Sequence, residues 1–269
     1  MKATSFEYHR PASVVEASAL LAQYDGDARA LAGGQSLVPM LNLRLVRPAA
    51  VVDLSGLAEL KSIEVSPSEV SIGALVTHSA LEFSRESGAT FDMLRLVAAG
   101  IAYRGVRNRG TIGGSVAHAD PAADWPSCLL ALDARISIAG PNGLRQMPIK
   151  DFILGSFTVD LQPGEILTRV HVPLLEASAR WGYYKHTRKV GEFAEAIGCV
   201  VDDEAPGVFR IVAGAMSSPA VVLFDQARAA TTLEDVRAAL GMAAPSVEGH
   251  HVHFHAAAVM RALQSRIRS

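Results

Sequence analysis

Two segments of this chain each set a pair of glycines among small and polar residues: Ala32-Gly33-Gly34-Gln35-Ser36 and Thr111-Ile112-Gly113-Gly114-Ser115. No other pattern in the sequence restricts the fold as much. Paired glycines permit positive φ and leave successive backbone amides uncovered by Cβ atoms. Uncovered amides form a concave anion site that needs no lysine, and the flanking Thr, Ser and Gln add donors. Either pair alone reads as a turn, whereas two such loops facing one another suit a pyrophosphate. There is no G-x-G-x-x-G after a strand and no G-x-x-x-x-G-K-[ST], which disfavours a Rossmann or P-loop site. The absence of G-x-S-x-G weakens a serine-hydrolase reading.

The second loop lies in RNRGTIGGSVAHADPAADWP, whose Asp120 and Asp124 admit three readings. They form a carboxylate pair for acid–base chemistry, or one accepts hydrogen bonds from ligand hydroxyls, or one caps the helix starting in DWPSCLLAL. Lys185, Arg188 and Phe193, in YYKHTRKVGEF, are either surface charges with a core aromatic or a basic pair beside a flat ring system. Near the end, His250, His251, His253 and His255 include a pair one helical turn apart, as metal sites use. With no acidic or thiol partner at useful spacing, the cluster reads as a solvated helix start, and no metal site is assigned.

The chain has 269 residues, 49% hydrophobic and 19% charged, enough to bury one large or two modest cores. A net charge of -2 gives no basic footprint for nucleic acid or anionic membrane. The first residues lack the apolar stretch of a signal peptide, and no apolar run is long enough to span a bilayer. The two cysteines, Cys128 and Cys199, are far apart and lack C-x-x-C spacing. They imply a reducing compartment and no zinc or iron–sulfur site built by this chain alone. A cytoplasmic location is expected.

Helical and extended patterns alternate. Capping boxes are expected at Ser13–Glu16, Ser79–Glu82 and Thr231–Glu234, the last opening a helix that ends at Gly241. Strands are expected over Val70–Thr77, EILTRVHVP, WGYYKHTRK and GVFRIVAGAM, and a turn at Gly140–Gly143. FDMLRLVAAGIAY reads as a buried helix. The pattern is α+β, with a domain boundary near Pro173 to Ala179.

Taken together, AGGQSL, VRNRGTIGGS and HADPAAD resemble the FAD-binding medium subunit of the molybdenum hydroxylase family, which includes carbon monoxide dehydrogenase and the flavin portion of xanthine dehydrogenase. The resemblance runs over essentially the whole chain, from Phe6, Tyr8, Pro11 and Ser13 through EILTRVHVP and YYKHTRK to a small C-terminal domain. It implies a two-subdomain FAD-binding fold of the vanillyl-alcohol oxidase / p-cresol methylhydroxylase type over 1–175 (subdomains about 1–56 and 57–175). A small α/β domain of the carbon monoxide dehydrogenase flavoprotein type would follow over 176–269. It implies that Ala32, Gly33, Gly34, Gln35, Ser36 and Leu37, with Thr111, Ile112, Gly113, Gly114 and Ser115, bind the FAD pyrophosphate. Asp124 falls near the ribityl chain, Leu167 against the flavin ring, Lys185 at its polar edge and Phe193 over it, with Ile101 a further contact. Gln35 stands where several relatives carry His, and Ser115 where others carry Asp or Asn.

The function implied is electron transfer. A large partner would carry a molybdopterin-type molybdenum cofactor and a small partner 2Fe-2S clusters, in a dimer of heterotrimers. Electrons would reach FAD here and leave to an external acceptor, with no side chain acting as a catalytic acid or base. Two alternatives stand beside it: a stand-alone FAD-dependent oxidase or dehydrogenase, and a non-catalytic assembly scaffold that kept the fold.

Overall fold

The computed structural model describes residues 2–225, 232–247 and 249–268, and shows mixed helix and sheet throughout. The first layer contains β1 (Glu7–His9), α1 (Val14–Gln23), β2 (Ala28–Leu31), α2 (Leu37–Asn42) and β3 (Ala50–Asp53). Its three strands are parallel, in the order β1-β3-β2, so the chain must cross over between them. Ser13 caps α1 by accepting the Glu16 amide, and Glu16 reaches back to the Ala12 amide rather than to that of Ser13. The buried face of α1, through Ala17 and Leu21, packs on Ala50 and Val52.

The second layer begins with β4 (Ile63–Val65), β5 (Glu69–Gly73), α3 (His78–Glu82), α4 (Ala89–Ala99), α5 (Arg104–Arg107), α6 (Ile112–His118) and α7 (Asp124–Ala131). It continues with β6 (Arg135–Gly140), β7 (Gly143–Pro148), α8 (Ile149–Phe152), β8 (Ile153–Gly155), β9 (Thr158–Val159) and β10 (Ile166–Pro173). Its main sheet is antiparallel, in the order β4-β5-β10-β6-β7, and the expected turn at Gly140–Gly143 closes the β6–β7 hairpin. The strand expected over Val70–Thr77 ends at Gly73, because the next five residues leave the sheet to meet the second glycine loop. The cap of α3 is Thr77, not Ser79. Its hydroxyl accepts the Ala80 amide, while Glu82 turns to Arg107. Ala123, not Asp124, occupies the cap position of α7.

The third layer holds β11 (Arg180–His186), β12 (Ala196–Asp203), β13 (Val208–Gly214), β14 (Val221–Asp225), α9 (Leu233–Ala243), α10 (Gly249–Gln264) and β15 (Ile267–Arg268). The sheet is antiparallel, ordered β14-β13-β12-β11-β15. A reciprocal capping box does open α9, between Thr232 and Asp235, one residue later than expected; Thr231 lies outside the described residues. The helix runs past Gly241 to Ala243 because nothing in its last turn breaks the hydrogen-bond ladder.

One core joins the second and third layers. Trp125, Cys128 and Leu129 of α7 pack with Val70, Ile72 and Val170 on one side and with Cys199, Val201 and Val212 on the other. On its opposite face the third sheet meets α10 at glycine contacts. A Cβ on Gly198 would lie 2.5 Å from the Ala258 carbonyl oxygen and 2.6 Å from the Val259 Cα. The helix rests there directly on backbone. Gly198→Ala is therefore expected to lower stability by about 2 kcal/mol through overpacking, read as a drop in the thermal or denaturant midpoint. A midpoint equal to that of the parent would contradict this packing.

Candidate cofactor site

Backbone-to-backbone contact shapes the site. Residues 74–78 zip against the second glycine loop: Ile112 donates to the Val76 carbonyl (3.0 Å), Gly113 to Ala74 (3.0 Å) and His78 to Gly110 (2.9 Å). A Cβ on Gly113 would sit 2.6 Å from the Ala74 Cα, so no larger residue fits. The first glycine loop leans on the same structure. A Cβ on Gly33 would fall on the Arg109 carbonyl and lie 2.8 Å from the Gly110 Cα, while Gly114 faces Ala32. The two loops, 77 residues apart in sequence at Gly33 and Gly110, thus adjoin.

Their amides differ. In the first loop Gly34 takes φ +73°, and the amides of Gly34, Gln35, Ser36 and Leu37 find no acceptor among the described residues. Ser36 precedes α2 without a side-chain cap, and the Gln35 side chain folds back to the Gly33 carbonyl (3.3 Å). In the second loop the expectation of open amides is corrected. Ile112 and Gly113 donate to Val76 and Ala74, Gly114 to the Thr111 hydroxyl (3.0 Å) and Ser115 to the Thr111 carbonyl (3.0 Å). Its glycines serve close approach, and the Thr111 hydroxyl is used within the loop.

Three other elements converge further along. Asp124, in the first turn of α7 and 8% exposed, forms a 2.7 Å ion pair with Lys185 of β11 and accepts a 2.6 Å hydrogen bond from the Tyr183 hydroxyl, both at Oδ1. Lys185 also donates to the Gly100 carbonyl (2.7 Å), next to Ile101. Burial, then the Asp124 charge, push the Tyr183 hydroxyl well above the usual phenol range, so it stays a donor. Asp120 accepts the Ala122 amide in a local turn (2.9 Å), whereas Asp124 is engaged by Lys185 and Tyr183.

Arg107, unexplained by sequence, holds the turn after α4. It pairs with Glu82 (2.8 Å) and donates to the carbonyls of Ile101 (3.1 Å) and Ala102 (3.3 Å). The loop after β11 leans on the same turn, since a Cβ on Gly191 would meet the Tyr103 ring at 2.5 Å. Lys185 and Ile101 thus meet at this turn, and Phe193, 67% exposed, lies on the loop after β11. Leu167 is placed differently, buried in the main core with Ile112 and Val116 beneath α6. Arg188 pairs with Glu192 on the surface (3.2 Å).

Sequence reasoning passed over Tyr183, although a signal was present: it lies two residues before Lys185, on the same face of a strand. The thiols Cys128 and Cys199 lie behind this cluster, fully buried, and burial followed by the neighbouring Cys199 raises the Cys128 pKa well above the ordinary thiol value. Among the described residues no group of His, Cys, Asp and Glu is arranged to hold a metal. The side chain of His250 lies outside them. His251 and His253 are exposed near the start of α10, in line with the solvated helix start expected there, while His255 further along the helix is buried.

His78 stands behind the second loop. It accepts a 3.0 Å hydrogen bond from the Trp125 indole at Nδ1, and burial, with the Arg107 charge, lowers its pKa from 6.5 to about 4. The folded chain therefore resists a proton that the unfolded chain binds below pH 6.5. Stability should be full above that value and fall as pH drops from 6.5 toward 4, by on the order of 3 kcal/mol. His78→Gln keeps an acceptor for Trp125 and should flatten this part of the stability–pH curve, measured by denaturant unfolding; an unchanged slope would refute the assignment.

Residues 4–175 match the family described as the FAD binding domain in molybdopterin dehydrogenase. The carbon monoxide dehydrogenase medium chain of Hydrogenophaga pseudoflava is 42% identical over 196 residues, 73% of this chain and 68% of that one. The 6-hydroxypseudooxynicotine dehydrogenase complex subunit alpha of Paenarthrobacter nicotinovorans is 41% identical over 194 residues, 72% of this chain and 66% of its own length. In structure, the chain superposes on carbon monoxide dehydrogenase from Hydrogenophaga pseudoflava, solved lacking the Mo-pyranopterin moiety of its molybdenum cofactor. The TM-score is 0.90 at 35% identity, covering 98% of both chains.

Proposed function

This chain belongs to the family of FAD-binding domains in molybdopterin dehydrogenases, and on that premise we propose that it carries electrons as the medium, FAD-binding subunit of a molybdenum hydroxylase complex. Electrons would arrive from 2Fe-2S clusters of a small partner, after substrate oxidation at a molybdenum cofactor in a large partner, and leave to an external acceptor. A dimer of heterotrimers in the cytoplasm is part of the same reading. No described helix is long and apolar enough to cross a membrane. Residues 1–175 are proposed as an FAD-binding domain of the vanillyl-alcohol oxidase / p-cresol methylhydroxylase type, in subdomains of about 1–56 and 57–175, and 176–269 as the C-terminal domain.

The observation that carries the reading is the run of unpaired amides from Gly34 to Leu37, backed by the second glycine loop. An anion with several acceptor oxygens satisfies such a run, and the diphosphate of FAD is one. The residues present fit the cofactor. In this reading Ala32 to Leu37 hold the diphosphate, and Thr111, Gly114 and Ser115 close the other side, with Ile112 and Gly113 setting its backbone. Asp124 and Lys185 present one acceptor and one donor to the ribityl chain and the polar edge of the ring. Ile101 and Phe193 supply apolar walls, and Leu167 acts from the core through the bulge it adjoins on β10.

Bound FAD supplies reversible acceptance of two electrons. The chain supplies binding, orientation and the local field. Asp124 is already committed to a lysine and a tyrosine, so it is a poor proton shuttle, and no acid–base role is assigned to it.

Flavin absorption of the purified complex, with FAD released on denaturation, is the expected result; a complex devoid of flavin would overturn the reading. Gly34→Val puts a branched residue at φ +73° with its Cβ 3.1 Å from Val38 Cγ2. FAD affinity should fall about tenfold or more through backbone strain. A stand-alone oxidase would turn over substrate without partners, and an assembly scaffold would tolerate Gly34→Val with no change in the activity of the complex.

A further inference from the structure

The Asp124–Lys185 pair is fixed at one end and open at the other. Two donors, the Tyr183 hydroxyl at 2.6 Å and the Lys185 ammonium at 2.7 Å, reach the same oxygen, Oδ1. Oδ2 has no hydrogen-bond partner among the described residues, and a carboxylate offers about four acceptor positions in all. Lys185 has three N–H donors; Asp124 and the Gly100 carbonyl take two. The acceptor positions of Oδ2 and one Lys185 donor are left for a ligand.

Tyr183 decides which oxygen is left. Its strand places it on the same face as Lys185 and directly across from Cys199, a buried thiol. With the phenol in place, the carboxylate is clamped by two donors from one side. With a phenyl ring, Oδ1 would keep Lys185 alone, and the carboxylate could rotate to offer either oxygen to the ammonium. A short hydrogen bond from a neutral donor to a carboxylate also withdraws part of its negative charge.

We propose that Tyr183 is a positioning residue: by holding Oδ1 of Asp124 it fixes the outward acceptor and donor of the Asp124–Lys185 pair, and so sets the preference of the site for reduced over oxidised flavin. This rests on the reading of the chain as an FAD subunit. Reduction adds negative charge to the flavin near neutral pH, so an uncompensated carboxylate disfavours the reduced form.

The test is the flavin midpoint potential in the purified complex, by redox titration of the flavin absorption. Tyr183→Phe should retain FAD, lower the potential and raise the ratio of reduced to oxidised dissociation constants about tenfold, the scale of one charge-assisted hydrogen bond. In an Asp124→Asn background the same change should have little effect, because Tyr183 acts through the carboxylate. Fluorotyrosine at position 183 keeps the ring and strengthens the donor, so the potential should move the opposite way; this arm holds even if the phenylalanine variant folds poorly. An FAD-loaded complex whose potential is the same with tyrosine and fluorotyrosine, or equal Tyr183→Phe shifts with and without the Asp124 carboxylate, would overturn the proposal. A parent complex without FAD would instead overturn the functional reading.

Discussion

Backbone lying directly on backbone is the constraint on which the rest of this site depends. Gly33 against Arg109–Gly110 and Gly113 against Ala74 leave no room for a side chain, and those two contacts bring a loop from a parallel sheet onto a loop from an antiparallel one. The amides of Ile112, Gly113 and His78 are used in making this junction. That leaves the first loop free to keep its own amides unpaired, a state that costs free energy unless water or a ligand satisfies them. One loop uses its amides in the junction, and the other keeps its own unpaired.

A second junction joins the layers at the other end of the site. Asp124 comes from α7, Lys185 and Tyr183 from β11 and the Gly100 carbonyl from the end of α4. Desolvating two charges is expensive, and a buried pair is retained more readily where it fixes one arrangement among several. Here it fixes how the third sheet meets the helices of the second layer. The residues proposed to face the cofactor also make the interlayer contacts, so a change at one is felt at the other.

Much of the frame was legible in the sequence, since strand alternation, the hairpin turn at Gly140–Gly143 and the glycine loops are local signals. Capping was legible only to within a residue or two. At α3 and α9 neighbouring hydroxyls compete, and tertiary partners decide: Glu82 goes to Arg107, which removes it from any box with Ser79. The open state of the second loop was not legible, because its acceptors at Ala74 and Val76 are set by long-range folding. Nor was the commitment of Asp124, for which cap, acid and ligand contact are all open on local pattern and which Tyr183 and Lys185 engage in the fold. Pattern reads elements well and reads partners poorly, because a partner is fixed by topology.

The buried thiols carry a further consequence. Cys128 and Cys199 have no exposed surface, and burial keeps Cys128 in its protonated, unreactive form. A reagent that needs a thiolate can reach either sulfur only after α7 separates from the third sheet. Their rate of alkylation therefore measures how often that seam opens, and the molecule carries its own internal gauge of interlayer breathing.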